Sequence, residues 1–364
     1  MRSRDPPVSR VVYHAPVCFG TIRTSSSGEF HELRFGPERD RLPSRKARER
    51  LDEEAPLDCP LVYILILTWN RVNDALTCLS HLHELDYPNY VPVVIDNASH
   101  DGTVAAIKEK YPHITVLENA TNLGYAGGNN RGLNYALEHN AEYMLIVNAD
   151  TILPPNLIKE LVRVANSSDD IAAVGAKNLK MDDPSTLWGA YISVSYNRLL
   201  VKVVGQDKKD GPKYFVMKDV PGVIGCGMLV SSKAVREVGF MDESLFLYHE
   251  DMDWCQRARL KGYRLVYAGT AYILHKGSSS IGTIQKKCLP IYYFLARNTV
   301  IFARRYGNPV QFWRVIILTV LYAVRKEVKC RFGLEPAGKY SLIWKGLRDG
   351  WNEAPAPFEE LGLR

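Results

Sequence analysis

Between Tyr248 and Arg259 the chain reads YHEDMDWCQRAR, with Glu250, Asp251 and Asp253 close together and Arg257 one helical turn past Asp253. Such a run has two readings. It is a solvated, charged helix start, or it presents a carboxylate to a reaction. Asp253 and Arg257 stand i,i+4 on a helix and can pair. Glu250 shares a face with Asp253, while Asp251 is turned about 100° away. Asp251 is therefore the acid left over, in a first turn where the helix dipole favours negative charge. Taken alone, the charged helix start is the simpler reading.

Other polar residues stand where hydrophobic runs end. VNAD closes one such run with Asn148 and Asp150. A carboxylate at the end of a buried strand is costly unless paired, so Asp150 is either salt-bridged or a ligand for a hard divalent cation. Asp96, in VVIDNAS, can accept from a base N–H or a ribose hydroxyl, or it can close an Asx turn. Ser99 and Asp101 read as helix caps. NLGYAGGNNRG (122–132) puts glycines ahead of a helix, where backbone amides favour an anion; a tight turn with close packing reads equally well. Its spacing is not the dinucleotide fingerprint, and it falls in the third βα turn rather than the first. His275, before a Gly/Ser loop, is structural or a ligand.

The elements that must hold these residues are legible in outline. LVYILILTWN is a continuous apolar run, which predicts a buried parallel strand. VPVVIDNAS, ITVLEN and YMLIVNAD are three further strands. NDALTCLSHLHEL, DGTVAAIKEKY and GGNNRGLNYALEHN are the helices between them. This alternation predicts βαβ units around a parallel sheet, with ligands bound outside the carboxyl ends of the strands. After about residue 175, STLWGAYISVS, YFVMKDVPGVIGCGMLVSS and YRLVYAGTAYILH read as strands that extend the sheet into a mixed one. DMDWCQRARLKG is the helix between the last two. From Gln285 onward three helical stretches follow.

At 364 residues, 46% hydrophobic and 24% charged, the chain can bury a large core and has the composition of an ordinary soluble body. The formal charge is +6, unevenly spread. Residues 296–348 hold eleven Lys/Arg against Glu327 and Glu335, on an otherwise apolar and aromatic segment. That mix suits an anionic membrane surface; no zinc-finger spacing or other nucleic-acid motif is present. The longest apolar run, Val315–Val324, is too short to span a bilayer. The seven cysteines are odd in number, widely spaced and free of CxxC, and read as reduced thiols of a cytosolic protein. The N-terminus has no apolar stretch of signal-peptide type, and residues 1–56 read as a poorly ordered arm.

Taken in order, LILTWNR, VIDNASHDGT, NLGYAGGNNRG, VNAD, GCGMLVSS, FLYHEDMDWCQRARLKGYR, HKGSSS and YYFLARN resemble the inverting family 2 glycosyltransferases of the GT-A fold, especially a rhamnosyltransferase-like branch. The resemblance runs from about Leu61 to Tyr306. It implies an α/β GT-A (Rossmann-like) fold, a mixed, mainly parallel sheet flanked by helices, with basic amphipathic helices at the C-terminus. It divides the chain into the arm (1–56), a catalytic domain (57–284, with a nucleotide-sugar half at 57–175 and an acceptor half at 176–284) and a membrane-associating helical region (285–364). Thr68, Asn70 and Arg71 would surround the nucleotide, with Asp96 on the pyrimidine or ribose. Asn122, Gly127 and Gly128 would line the donor pocket. NAD stands where the family has DxD, so Asp150 would hold Mg2+ or Mn2+ with His275, and Asn148 replaces the first acid. Asp251 would be the general base and Glu250 its neighbour. The implied partners are a dTDP- or UDP-linked sugar, a glycan or polyprenyl-linked acceptor and an anionic membrane surface. The implied location is the cytoplasmic face of the cell membrane. Two rivals are a nucleotidyltransferase, which would need a basic, Gly-rich first βα turn that LTWNRVNDA lacks, and an inactive nucleotide-sugar binder, supported only by Asn148.

Overall fold

The computed structural model describes residues 59–195, 200–277, 290–332, 339–356 and 361. The expected N-terminal arm, Cys18, Cys288 and the serines of HKGSSS lie outside them. The first half is built as its hydrophobic pattern predicts. Strand β1 (Val62–Thr68) is buried along nearly its whole length. It pairs in parallel with β2 (Tyr90–Asp96) and β4 (Tyr143–Asn148), and β2 pairs in parallel with β3 (Thr115–Glu118). The register sets Thr68 beside Asp96 and Leu67 beside Asn148, so the polar strand ends share one edge. Helices α1 (Val72–Ser80), α2 (Thr103–Lys110) and α3 (Gly124–Glu138) make the crossovers.

Helix α3 begins at Gly124, three residues before the expected GGNNRGLNYALEHN, so Gly127 and Gly128 lie inside it rather than at its start. The reason is packing. A Cβ on Gly128 would come within 2.5 Å of Leu67 on β1 and 2.9 Å of Asn97, so glycine lets the helix lie directly on the sheet.

Beyond β4 come the short β5 (Thr151–Ile152), α4 (Leu157–Ala165) and β6 (Ile171–Lys180). Nine of the ten β6 residues are buried, and no expectation covered this strand. β7 (Leu187–Gly189) pairs with β6, and β8 (Tyr191–Ser195) with β9 (Leu200–Val204) makes a separate hairpin. The expected single strand over 214–232 is two short ones, β10 (Met217–Asp219) and β11 (Met228–Ser231), because Pro221 and the three glycines Gly222, Gly225 and Gly227 turn the chain between them. After α5 (Ser232–Val238) and α6 (Glu250–Leu260), β12 (Arg264–His275) completes the sheet. The strand order is β10-β12-β6-β11-β4-β1-β2-β3, with β11 antiparallel to both neighbours.

Three C-terminal helices follow: α7 (Pro290–Tyr306), α8 (Pro309–Arg331) and α9 (Lys339–Trp351). Phe302 and Ala303 of α7 and Val315 of α8 join the main hydrophobic core. No helix among the described residues is long and apolar enough to cross a membrane.

Candidate active site

The first corner lies at the ends of β1 and β2. Asp96 is almost fully buried, and its two oxygens differ. Oδ2 accepts from the Ser99 amide at 2.8 Å, which closes the Asx turn. Oδ1 is buried and has no partner among the described residues, and the same holds for Thr68 Oγ1 on the neighbouring strand. Buried acceptors of this kind are normally satisfied, so the pair is ready to receive a donor group. Asn70, in the left-handed region at φ 52°, ties this turn to the next: its amide donates to Ser99 Oγ, and its Oδ1 accepts from the His100 amide. Asp101 accepts from the amides of Val72 and Thr103, the first residues of α1 and α2, although the N-cap positions themselves are Arg71 and Gly102. Arg71 reaches Asp74, which also receives Lys276 Nζ at 2.7 Å. The Asn122 side chain accepts from the Gly124 amide at the start of α3.

The second corner joins β4 to β12. His275 lies opposite Thr151 through the β12–β5 pairing. A register shift between Ala268 and Tyr272 precedes it on β12 and re-aims the strand end. His275 Nε2 then stands 3.3 Å from Asp150 Oδ1 and 3.4 Å from Asn148 Nδ2. Both members of the Asp150–His275 pair are about 5% exposed. His275 Nδ1 is buried without a partner among the described residues, and the ring sits 5.0 Å from that of Trp188. Among the described residues no three His, Cys, Asp or Glu side chains gather to hold a metal unaided. One carboxylate and one imidazole with Asn148 beside them fit a divalent cation whose remaining ligands come from a diphosphate and water. Asn148 adds no charge of its own.

The third corner is the acid pair. Asp251 Oδ2 accepts from the Gly225 amide at 3.1 Å and Oδ1 from the Met252 amide at 2.7 Å, which leaves lone pairs on both oxygens. Burial pushes its carboxyl above the ordinary range, against the pull of those amides. Glu250 is raised well above it, by burial first and then by Asp251, and its Oε2 is buried with no partner. Two such neighbours resist ionising together, and of the two Glu250 is held more strongly toward its protonated form. Asp253 is the structural acid, as its spacing implied. It binds Arg257 Nε at 2.9 Å, and also Arg305 Nη1 at 3.1 Å and Tyr306 Oη at 2.7 Å from α7. The α7 partners carried no sequence signal.

One loop links the second and third corners. The Gly225 amide binds Asp251, and, two residues on, the Gly227 amide donates to the Ile146 carbonyl of β4 at 2.9 Å. The buried Asn178 Nδ2 holds the Cys226 carbonyl at 3.1 Å. Tyr125 adds a phenol whose Oη is buried and unpartnered near Gly225. Sequence reasoning singled out neither Asn178 nor Tyr125, because each acts through contacts distant in the chain.

Strand ends on one sheet edge, a buried oxygen–nitrogen corner and a buried acid pair are the polar groups this α/β sheet brings together. Residues 63–239 match the family model described as glycosyl transferase family 2. The chain is similar to the low-salt glycan biosynthesis hexosyltransferase Agl10 of Haloferax volcanii, at 28% identity over 46% of this chain and 52% of that one, so it spans about half the length of that relative. It is 25% identical to the N-acetylglucosaminyl-diphospho-decaprenol L-rhamnosyltransferase of Mycobacterium tuberculosis, over 69% of this chain and 86% of the relative. Among solved structures, the mannosyltransferase PcManGT from Pyrobaculum calidifontis, in complex with GDP-Man and Mn2+, shares the fold with a TM-score of 0.50 at 16% identity, over 85% and 93% of the two chains. Residues 63–239 carry a family 2 glycosyltransferase domain, on a GT-A sheet with additional C-terminal helices.

Proposed function

We propose that the chain transfers a hexose, with inversion, from a pyrimidine nucleoside-diphosphate sugar to a hydroxyl of a glycan or polyprenyl-linked glycan, with dTDP-rhamnose the leading donor. The observation that carries this reading is the Asp150–His275 corner, joined through β4 and the Gly225–Gly227 backbone to the Asp251–Glu250 pair. The Asp96 Oδ1 and Thr68 Oγ1 acceptors suit a base N–H and a ribose hydroxyl, with Asn70 and Arg71 shaping the turn around them. Asn122, Gly127 and Gly128 set the α3 end that borders the donor. Asp150 and His275 would hold Mg2+ or Mn2+, which when bound would offset the charge of the departing diphosphate.

Asp251 accepts the proton of the acceptor hydroxyl as its oxygen bonds to the anomeric carbon. The bond from that carbon to the diphosphate breaks, and the nucleoside diphosphate leaves with the electron pair. Single displacement needs no covalent intermediate. Glu250, holding its proton, keeps a second negative charge away from Asp251 and orients it.

A lipid-linked acceptor calls for contact with a membrane, and the reading places the chain on its cytoplasmic face. Helix α8 supports this. Its inner face, Gln311, Val315, Thr319 and Ala323, is buried. Its outer face exposes Val310, Trp313, Ile317, Leu321, Val324 and Val328 at helical spacing. An exposed apolar stripe with basic residues near its end describes an interfacial helix. Not all of the basic surplus is available for lipid: Arg297 is buried and Arg305 is committed to Asp242 and Asp253.

A thermal-shift screen of nucleotide sugars with Mn2+, followed by release of nucleoside diphosphate, tests the reading. Turnover is expected to stop in excess chelator, and Asp150→Ala is expected to remove the metal-dependent part of donor binding. Full turnover in chelator would remove the metal assignment.

A further inference from the structure

The chain enters the acid helix through a turn built almost entirely of unfavourable conformations. Phe246 has φ 60° and ψ −59°, and the Leu247 amide bonds the Leu245 carbonyl across it at 2.6 Å. That is the γ-turn of the rare, strained hand. Tyr248 and His249 follow at φ 68° and 72°, so three of four consecutive residues are non-glycine residues in the left-handed half of backbone space. Bulky residues adopt it only when their surroundings impose it. The direction in which Glu250 and Asp251 leave this turn depends on its being held.

Helix α7 holds it. Asn298 is fully buried, and its Nδ2 donates to the carbonyls of Leu245 at 2.8 Å, Leu247 at 3.0 Å and Tyr248 at 2.8 Å. Arg297, about 1% exposed, fixes the amide: its Nη1 donates to Asn298 Oδ1 at 2.9 Å and to the Ser244 carbonyl at 2.8 Å. Its other side donates to the Ala354 carbonyl from Nε and Nη2. No carboxylate is among these Arg297 acceptors, so a buried guanidinium is spent chiefly on main-chain carbonyls. From the opposite side the amides of Tyr125 and Ala126 donate to the Phe246 carbonyl at 2.7 and 3.2 Å. Gly124, at φ +73°, is what lets α3 come that close, since a Cβ there would collide with the Phe246 ring and carbonyl.

We infer that Asn298, oriented by Arg297, is a positioning residue for the transfer reaction: it forces the 245–249 turn into the conformation that aims Asp251 at the acceptor hydroxyl. The inference rests on the proposed role of Asp251 as the base. It also gives α7 a task in the chemistry, since its LARN segment (295–298) reaches the acid only through main-chain carbonyls.

The test is kinetic and uses the full chain. Asn298→Asp removes the donating amide and sets oxygen against three carbonyls; Asn298→Ala removes the amide alone. Donor affinity, read with the nucleotide sugar and Mn2+, is expected to stay within about twofold of wild type, because the donor corners lie on β1, β2, β4 and β12. kcat is expected to fall at least tenfold, with the acid limb of the pH–rate profile displaced, because Asp251 loses its fixed seat between Gly225 and Met252. A packing role alone would not move that limb. Tyr248→Gly supplies the second arm, since glycine takes a positive φ without support. In the Asn298→Ala background it is expected to restore part of the lost kcat, or folding if the single variant does not fold, although it removes a further side chain. Wild-type kcat and pH profile in both Asn298 variants, or no recovery on adding Tyr248→Gly, would overturn the inference. Were Asp251→Asn itself fully active, the base assignment would fail instead, which separates the two claims.

Discussion

Asp251 and Asp253 stand two positions apart, yet burial and partners give them opposite work. Asp253 is met by Arg257, Arg305 and Tyr306 and is a structural anion. Asp251 meets only amide donors and keeps open lone pairs. The i,i+4 spacing made the Asp253–Arg257 pair legible in the sequence, and by elimination it pointed to Asp251. Asp96 closes the Asx turn with one oxygen, as one reading of its motif expected, and leaves the other without a partner among the described residues. What no local pattern displayed was the cost of the turn before them. Phe246, Tyr248 and His249 look like ordinary chain, and their left-handed backbone is imposed from α3 and α7. His249 carries a further consequence. Burial lowers its imidazole to about 4, against a partial pull upward from Asp253. Between about pH 6.5 and 4 the unfolded chain therefore binds a proton that the native state refuses, so stability falls as pH drops through that window and is flat above it. Denaturant unfolding at about pH 5 and about pH 7.5 should show this slope in wild type and a shallower one in His249→Asn, asparagine being tolerant of left-handed backbone. Equal slopes would mean that another group sets it.

Strands with uninterrupted apolar runs were readable because burial on both faces leaves no alternation to misread. β6 was not anticipated, although its IAAVGAKNLK is buried at nine of ten positions, because small residues and a lysine dilute the hydrophobic signal. There Lys177 is tolerated by pairing with Asp210 at 2.7 Å. His275 shows the opposite limit: its residue type was a clue, but its partner across the sheet is fixed by the β12–β5 pairing, which no single segment encodes. The junction of α6 with α7 at Asp253 is open to measurement. Asp253→Asn should lower stability by about 3 kcal/mol, the low end for breaking a buried pair, because Arg305 keeps Asp242 at 2.6 Å. Turnover per folded molecule should be retained. A dead but stable Asp253→Asn enzyme would exchange the roles of the two acids.

Across the full chain, the sheet gathers three polar corners on one side of the fold, and the C-terminal helices brace the acid while exposing an apolar stripe. That stripe should bind anionic vesicles, with surface attraction worth about 1 kcal/mol per basic residue near the lipid. Ile317→Glu with Leu321→Glu should abolish flotation at low salt and leave turnover on a soluble acceptor intact. Flotation unchanged by the pair would place the lipid contact elsewhere. The most direct test of the account is the steady-state release of nucleoside diphosphate by wild type and Asp251→Asn, with Mn2+, donor and acceptor present. General-base catalysis contributes about 10²–10⁴-fold, so the variant should bind donor normally and turn over at least about a hundredfold more slowly. The wild-type rate should rise with pH through a carboxyl pKa held above the usual range by burial. An Asp251→Asn enzyme that releases nucleoside diphosphate at the wild-type rate would contradict the assignment of Asp251 as the base.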